Sequence, residues 1–261
     1  MSFTSSPDQD PVKQETEFHN NNLSFFSKYA HYLWEFLMLF LAVFCGYLAQ
    51  SYFDYQSDRS KEKEYIQSMI EDLQIDTGNL TSIIEVFNAR QKSMDSIFYL
   101  FEKITEGYQP VLDRSLRATN NYPSFVSTDR TIQQMKSSGG MRVIRNKKAA
   151  DGIIKYDATI RNFQINIGYV ERFFQHVQQT RMEIQDLQSL DSDLKKYSGN
   201  EVMKNGKNYL FTNDRNELGI FRSKIFELQK YYIDAVVEQT YIKTKASELI
   251  GTLKQEYHLN Q

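Results

Sequence analysis

The spacing of apolar residues changes once along the chain, near residue 53. Between Phe36 and Ala49 the chain holds 14 uncharged residues in succession, nearly all of them apolar. With the aromatic residues on both sides, this stretch exceeds the roughly 20 residues with which a helix crosses the hydrocarbon core of a bilayer. The pattern predicts a transmembrane helix over residues 32–53, and a buried helix of a soluble protein is the alternative.

After residue 53, mostly apolar residues recur at alternating steps of four and three in three long runs. The first run is Ile66, Ile70, Leu73, Thr77, Leu80, Ile84, Phe87, Gln91, Met94, Phe98 and Phe101. The second run is Ile153, Tyr156, Ile160, Phe163, Ile167, Val170, Phe174, Val177, Arg181 and Ile184. The third run is Leu218, Phe221, Ile225, Leu228, Tyr232, Ala235, Gln239, Ile242, Ala246, Leu249 and Leu253. This spacing is typical of the contact seams of long helices that cross at about 20°.

Three seams of similar length favour an all-α fold: an N-terminal transmembrane helix followed by an antiparallel bundle of three long helices, residues 54–258. In this arrangement the first long helix runs one way, the second returns and the third runs out again. A two-stranded coiled coil between chains is the alternative, but bulky seam residues such as Phe87, Phe163 and Tyr232 fill a wide core better. Residues 1–30 are polar and lack periodicity, which predicts a disordered tail.

The connections between the long helices predict smaller elements. Short helices are expected near residues 111–118 and 128–137, and the second of them ends at Gly139. A small hairpin can form within residues 188–214, because Asn205 and Gly206 favour a type I′ turn. Asp214 with Glu217 resembles a capping box that opens the last helix.

The composition excludes several kinds of site. The only cysteine, Cys45, lies within the predicted span, so the chain offers neither an internal disulfide nor a cysteine-based metal site. The four histidines are scattered, without a pair at helical spacing. No serine-hydrolase, zinc-protease or dinucleotide-binding motif occurs, and a net charge of −2 without a dense basic stripe argues against a nucleic-acid partner. We assign no catalytic, metal-binding or cofactor-binding residue.

Residues 137–148 combine two adjacent glycines with several basic side chains. Backbone N–H groups at Gly139 and Gly140, with Arg142 and Arg145 nearby, form a speculative anion-binding site. The signature of a phosphate-binding loop is missing, and the alternative is a helix C-cap followed by a turn into the next helix.

Small residues recur along one face of the predicted span. Ala42, Gly46 and Ala49 would let two helices approach closely, which gives a speculative transmembrane packing face. The expected localisation is a cell membrane, crossed once, with the lipid bilayer as a partner. Arg59 and Lys61 lean towards a cytoplasmic position of the large domain, but acidic neighbours weaken this argument and the side stays open.

Two blocks of sequence carry a resemblance. In residues 34–77 a hydrophobic stretch that begins with TrpGlu continues into a charged helix with a Leu-rich seam, and residues 131–146 form the second block. Both resemble a family of uncharacterised bacterial single-span membrane proteins, and together they cover about a quarter of the chain. The resemblance implies an N-terminal anchor and a helical soluble domain, and it implies no activity.

Three functions are compatible with these features. The leading hypothesis is a membrane-anchored helical bundle that binds another protein or acts as a scaffold, either as a homo-oligomer or with a membrane-associated partner. The second is a sensory input domain that binds a small ligand between helices. The third is an enzyme that uses the loop at residues 137–148. We expect the first, because an anchor and long contact seams are the recognisable features of the chain.

Overall fold

The computed structural model describes residues 12–102, 116, 122–196 and 209–259, and within these ranges the side chains from residue 29 onwards except those of Leu100 and Leu194. This part of the chain is helical: α1 is Val12–Glu102, α2 is Arg130–Ser138, α3 is Lys147–Ile184, α4 is Leu187–Lys196 and α5 is Arg215–Glu256. A short 3₁₀ turn, Gly140–Arg142, follows α2. The chain divides into two compact units, Met1–Ser60 and Lys61–Gln261. The all-α prediction is confirmed for the described residues.

Helix α1 begins at Val12, inside the segment for which we predicted a disordered tail. The difference at residues 12–30 has a local reason. Pro11 directly precedes the helix, where a fixed φ and a missing N–H are compatible with a helix start, and no glycine or proline follows it before residue 46. The first 11 residues of the predicted tail lie outside the described part of the chain.

Within α1 lies one stretch that is long and apolar enough to cross a membrane, near the N-terminus. None of its most apolar window is buried. Tyr32 and Trp34 at one end and Tyr52 and Phe53 at the other are all more than 60% exposed. Within its own unit the stretch is therefore exposed, which is consistent with a transmembrane helix.

The third predicted seam is confirmed in full, because all eleven of its positions are buried in α5. The second seam is buried at both ends of α3 and half-buried at three positions in the middle, Ile167, Val170 and Phe174. The first seam is correct at every second position, from Ile66 to Phe101. At three of the positions in between, the residue that faces the core is the one before the predicted residue: Met69, Asp76 and Ile97 are buried, rather than Thr77 and Phe98. Ile70 is buried as well, next to Met69.

Helices α3 and α5 run antiparallel. Near the middle of α3, Asn166 Nδ2 lies 3.5 Å from Glu238 Oε1, and further along the ring centroids of Phe173 and Tyr231 are 5.0 Å apart. Residue numbers thus rise along α3 where they fall along α5. This confirms the predicted direction for these two helices.

Helices α1 and α3 run in the same direction, so the prediction that every long helix reverses the one before it is wrong for this pair. Two apolar clusters show the shared direction. The first joins α1 from Ile66 to Leu80 with α3 from Ala149 to Phe163. The second joins later residues of both helices, such as Phe87 of α1 and Val177 of α3. The described part of the connection between them supplies the return, because its residues meet α1 in reverse order: Thr128 bonds to Asp76, Thr131 to Asp72 and Arg145 to Glu62.

Local signals at the helix ends are partly confirmed. Asp214 Oδ1 accepts from the N–H groups of Asn216 at 2.6 Å and Glu217 at 3.3 Å, as the cap of α5. The Asp214 N–H donates to Thr212 Oγ1. In a capping box the side chain of Glu217 would accept this hydrogen bond instead. Helix α2 ends before Gly139 as predicted. Of the helix expected at residues 111–118, the structure describes only Leu116, which is helical.

The region of the predicted hairpin begins as a helix. Residues 188–196 belong to α4, and the expected turn at Asn205 and Gly206 lies outside the described residues. The described part after it contains one isolated antiparallel bridge, between Gln185 and Leu210, and no strand. The helix is consistent with the amphipathic run of leucines at positions 187, 190 and 194, spaced three and four residues apart.

Candidate functional site

Three buried carboxylates of α1 form the most distinctive polar arrangement of the described chain. They belong to Glu62, Asp72 and Asp76, each with 1% or less of its surface exposed. A buried carboxylate is costly unless hydrogen-bond donors surround it. All three find their donors in the connection that precedes α3 and in the elements beside it.

Asp72 holds the start of α2. Its Oδ2 accepts from the Thr131 N–H at 2.9 Å and from the Thr131 hydroxyl at 2.5 Å, while Oδ1 accepts from the Arg130 guanidinium at 2.8 Å. The Thr131 N–H belongs to the first turn of α2, where backbone donors lack partners within the helix. Asp72 therefore caps a helix that lies far away in sequence, and it also pairs with a cation.

Asp76 lies one turn further along α1 and holds two segments at once. Its Oδ1 accepts from the Thr128 N–H at 2.7 Å, and its Oδ2 accepts from the Tyr156 hydroxyl of α3 at 2.7 Å. Burial raises the pKa of Asp76 above its ordinary value, against the lowering effect of these hydrogen bonds, and the nearby charge of Asp72 raises it further. Burial likewise raises the pKa of Tyr156, so the hydroxyl keeps its proton for this bond.

Glu62 holds the other end of the connection. Its Oε1 accepts from the Arg145 N–H and from the Tyr257 hydroxyl, each at 2.7 Å. Nearby, Asn146 caps α3 by accepting from the Ala149 N–H. The Asn146 amide also donates to Glu256 Oε2 at 2.7 Å. The start of α3 is thus tied both to α1 and to the end of α5.

The glycine pair of the predicted anion site has a structural role in the same segment. Gly139 is the C-cap of α2 with φ of 70°, a left-handed conformation that favours glycine. Gly140 is buried, and a Cβ at this position would lie 2.8 Å from Cε2 of the Tyr65 ring. The helix C-cap followed by a turn, which was the alternative to an anion site, is what the backbone forms. The side chains of Arg142 and Arg145 are exposed, and anion binding there stays a prediction.

An open groove of about 740 Å³ lies between α3 and α5. Two of its lysines are paired: Lys148 Nζ lies 2.8 Å from Glu256 Oε1, and Lys245 Nζ lies 2.7 Å from Glu248 Oε2. Lys155 and Asp151 contribute one further charge of each sign. The groove is where a ligand between helices would bind, but its charges are balanced and largely neutralised by neighbours.

The predicted packing face of the span is open in this structure. Ala42, Gly46 and Ala49 are all exposed, and a Cβ added at Gly46 meets no atom within 4 Å. On another face, Phe36, Phe40 and Phe44 form a ladder of stacked rings with centroids 6.4 and 5.8 Å apart. The predicted span therefore has small residues on one face and aromatic rings on another.

Among the described residues, no three metal-ligating side chains lie close enough to hold one ion. Comparison of the chain with protein-family models, with curated proteins and with solved structures finds no match. The resemblance of residues 34–77 and 131–146 to a bacterial family stays a prediction.

Sequence reasoning missed the three carboxylates, although a signal was present. The alternation of four and three continues through Glu62, Ile66, Met69, Leu73, Asp76 and Leu80 just as regularly as through the seam that we chose. The seam that we predicted has no charged residue, and charged side chains are rarely buried. The run through Glu62 and Asp76 places acidic residues on the contact seam. Acids in such positions indicate buried hydrogen-bond donors elsewhere in the chain.

Replacing Asp72 with alanine is expected to destabilise the helical unit strongly. Asp72→Ala leaves the Thr131 N–H and hydroxyl without their acceptor, at about 1–3 kcal/mol for each buried donor left unpaired. The adjacent variant Glu71→Ala is the matched control, because its side chain is 67% exposed and lies 3.7 Å from Arg130, and exposed ion pairs contribute only about 0–1 kcal/mol. Urea unfolding followed by circular dichroism measures the difference, and equal losses in the two variants would contradict the role given to Asp72.

Asp76 is expected to make stability depend on pH in a definite direction. Because its pKa is raised in the folded state, its contribution is fully present below the ordinary carboxyl pKa and is lost as pH rises through the raised value. The free energy of unfolding of the wild type, relative to Asp76→Asn, should therefore fall as pH rises above about 4. Urea titrations of both chains across this range measure it; a relative stability that rises with pH would overturn the assignment.

Proposed function

We propose that the chain is a single-pass protein of a cell membrane, whose helical unit is a bundle that binds another protein or serves as a scaffold. The observation that carries the membrane anchor is the exposed apolar stretch of α1, which is long enough to span a bilayer. Exposed to water, such a surface is unfavourable by about 25 cal/mol for each Å². Lipid removes this cost without any protein partner.

The ends of the stretch suit the two interfaces of a bilayer. Tyr32 and Trp34 precede the apolar run and Tyr52 follows it, and such rings favour the headgroup region. Glu35 at the start of the run has its carboxylate 3.1 Å from His31 Nε2. A carboxylate at the end of the apolar run, next to a histidine on the same face of the helix, is compatible with the headgroup region of a bilayer.

The contacts of the helical unit support a four-segment bundle as the finer architecture. Helices α1 and α3 share one direction, while α5 and the connection through α2 take the other. Adjacent antiparallel segments are the common solution for bundles. In this proposal, the returning connection takes the place of a fourth helix, with α2 as its helical part.

Protein interaction is favoured over ligand sensing or catalysis by how the polar groups are used. The buried carboxylates are engaged in hydrogen bonds that hold the connection, and two lysines of the open groove are paired with acids. Large apolar side chains, in contrast, stand exposed on the outer helices, for example Tyr169 and Val237. Surfaces of this kind mark sites of protein association.

Charged substitutions in the apolar stretch should release the chain from membranes. Each arginine at the centre of a span costs about 2.5–3.5 kcal/mol for insertion, so Leu41→Arg with Phe44→Arg is expected to move most of the chain from the membrane pellet to the soluble fraction after alkaline carbonate extraction. The matched control is Ile75→Arg with Val86→Arg, at exposed positions of α1 outside the stretch. Wild-type chain that is itself soluble would contradict the anchor.

A further inference from the structure

An apolar patch lies on the outer face of α3 and α5. Four of its side chains are more than half exposed: Ile165 at 62%, Tyr169 at 64%, Val237 at 65% and Tyr241 at 53%. We call these four residues the α3–α5 patch. Exposed apolar side chains grouped on one face are typical of interaction sites.

The register of the two helices places the four residues of the patch at overlapping levels. In the register fixed by the contacts of Asn166 with Glu238 and of Phe173 with Tyr231, Ile165 is level with a point between Val237 and Tyr241 of α5. Tyr169 lies one turn after Ile165 in α3. It is level with Ala235 of α5, two residues before Val237. If α3 of a second copy lies on α5 at the same level, its side chains enter the gaps between those of α5, as in ridge-into-groove packing.

Opposite charges flank the patch on its two helices. Arg172 of α3 stacks over the Tyr169 ring, with its guanidinium carbon 4.7 Å from the ring centroid, and it forms no ion pair with another described residue. Asp234 of α5 is exposed and likewise has no ion pair within the described part of the chain. The two residues differ in level by less than one helical turn. Arg172 of one patch can therefore pair with Asp234 of a second patch.

We propose that the α3–α5 patch binds the same patch of a second copy of this chain. The twofold axis runs parallel to the helices, so that α3 of each copy lies on α5 of the other at the same level. Arg172 of each copy then faces Asp234 of the other, and the interface is the same on both sides. This inference rests on the proposed function as an interaction module and names its partner.

Charge reversal tests the pairing between copies. Arg172→Asp alone and Asp234→Arg alone each place two like-charged pairs at the interface, so each variant should self-associate about tenfold more weakly or worse. In an equimolar mixture, both facing pairs combine an aspartate with an arginine, and the mixture should form a heterodimer with near wild-type affinity. Sedimentation velocity of the full chain in detergent measures all three samples. A mixture that stays as weakly associated as its components overturns the proposal.

Apolar variants locate the interface. Val237→Glu is expected to abolish self-association, while Ile75→Glu, at a position that is 50% exposed on α1, should leave it unchanged. Gly46→Leu tests the span instead, and self-association that is lost in Gly46→Leu but kept in Val237→Glu overturns the proposal. A monomeric wild type overturns it as well, and crosslinking of that monomer to another membrane protein would leave the proposed function standing.

Discussion

The burial of three carboxylates on one face of α1 is the constraint on which the helical unit depends. Ionised groups leave water only when donors replace it, and α1 itself has no backbone donor to spare away from its ends. The donors come from the connection before α3, from Tyr156 of α3 and from the segment after α5. Three points along α1 thereby fix the path of residues 122–146, which are helical only in α2 and in the 3₁₀ turn that follows it.

The order of the long helices follows from this path. The connection runs back along α1 to Glu62. Helix α3 therefore starts beside this part of α1 and runs in the same direction as α1. Helix α5 then returns against both, with Gln229 Nε2 2.9 Å from Asp95 Oδ1 of α1. Apolar side chains are buried in two clusters, while the polar contacts select which segment lies where. The contacts of the three carboxylates do not involve the four residues of the α3–α5 patch, which are exposed.

The sequence predicts the long helices well and their arrangement less well, for identifiable reasons. In α5 every seam position is apolar or uncharged, and every position that the spacing predicts to be buried is buried. In α1 two seams of equal regularity compete, and the choice depends on whether Asp76 or Thr77 faces the core. That choice is decided by Thr128 and Tyr156, which are distant in sequence. The direction of α3 was also missed, because spacing within a helix carries no information about how the chain returns to its start.

The most direct test of this account is the relative direction of α1 and α3. Spin labels at the exposed positions Lys92 of α1, Gln175 of α3 and Asp151 of α3 allow two distances to be measured by pulsed electron resonance, in samples diluted with unlabelled chain. Residues 151 and 175 are about 36 Å apart along α3, at 1.5 Å per residue. With α1 and α3 parallel, the distance from Lys92 to Gln175 is expected to be shorter than that from Lys92 to Asp151 by tens of ångströms. The reverse order would show that α3 returns along α1, and it would contradict the carboxylate contacts on which the fold depends.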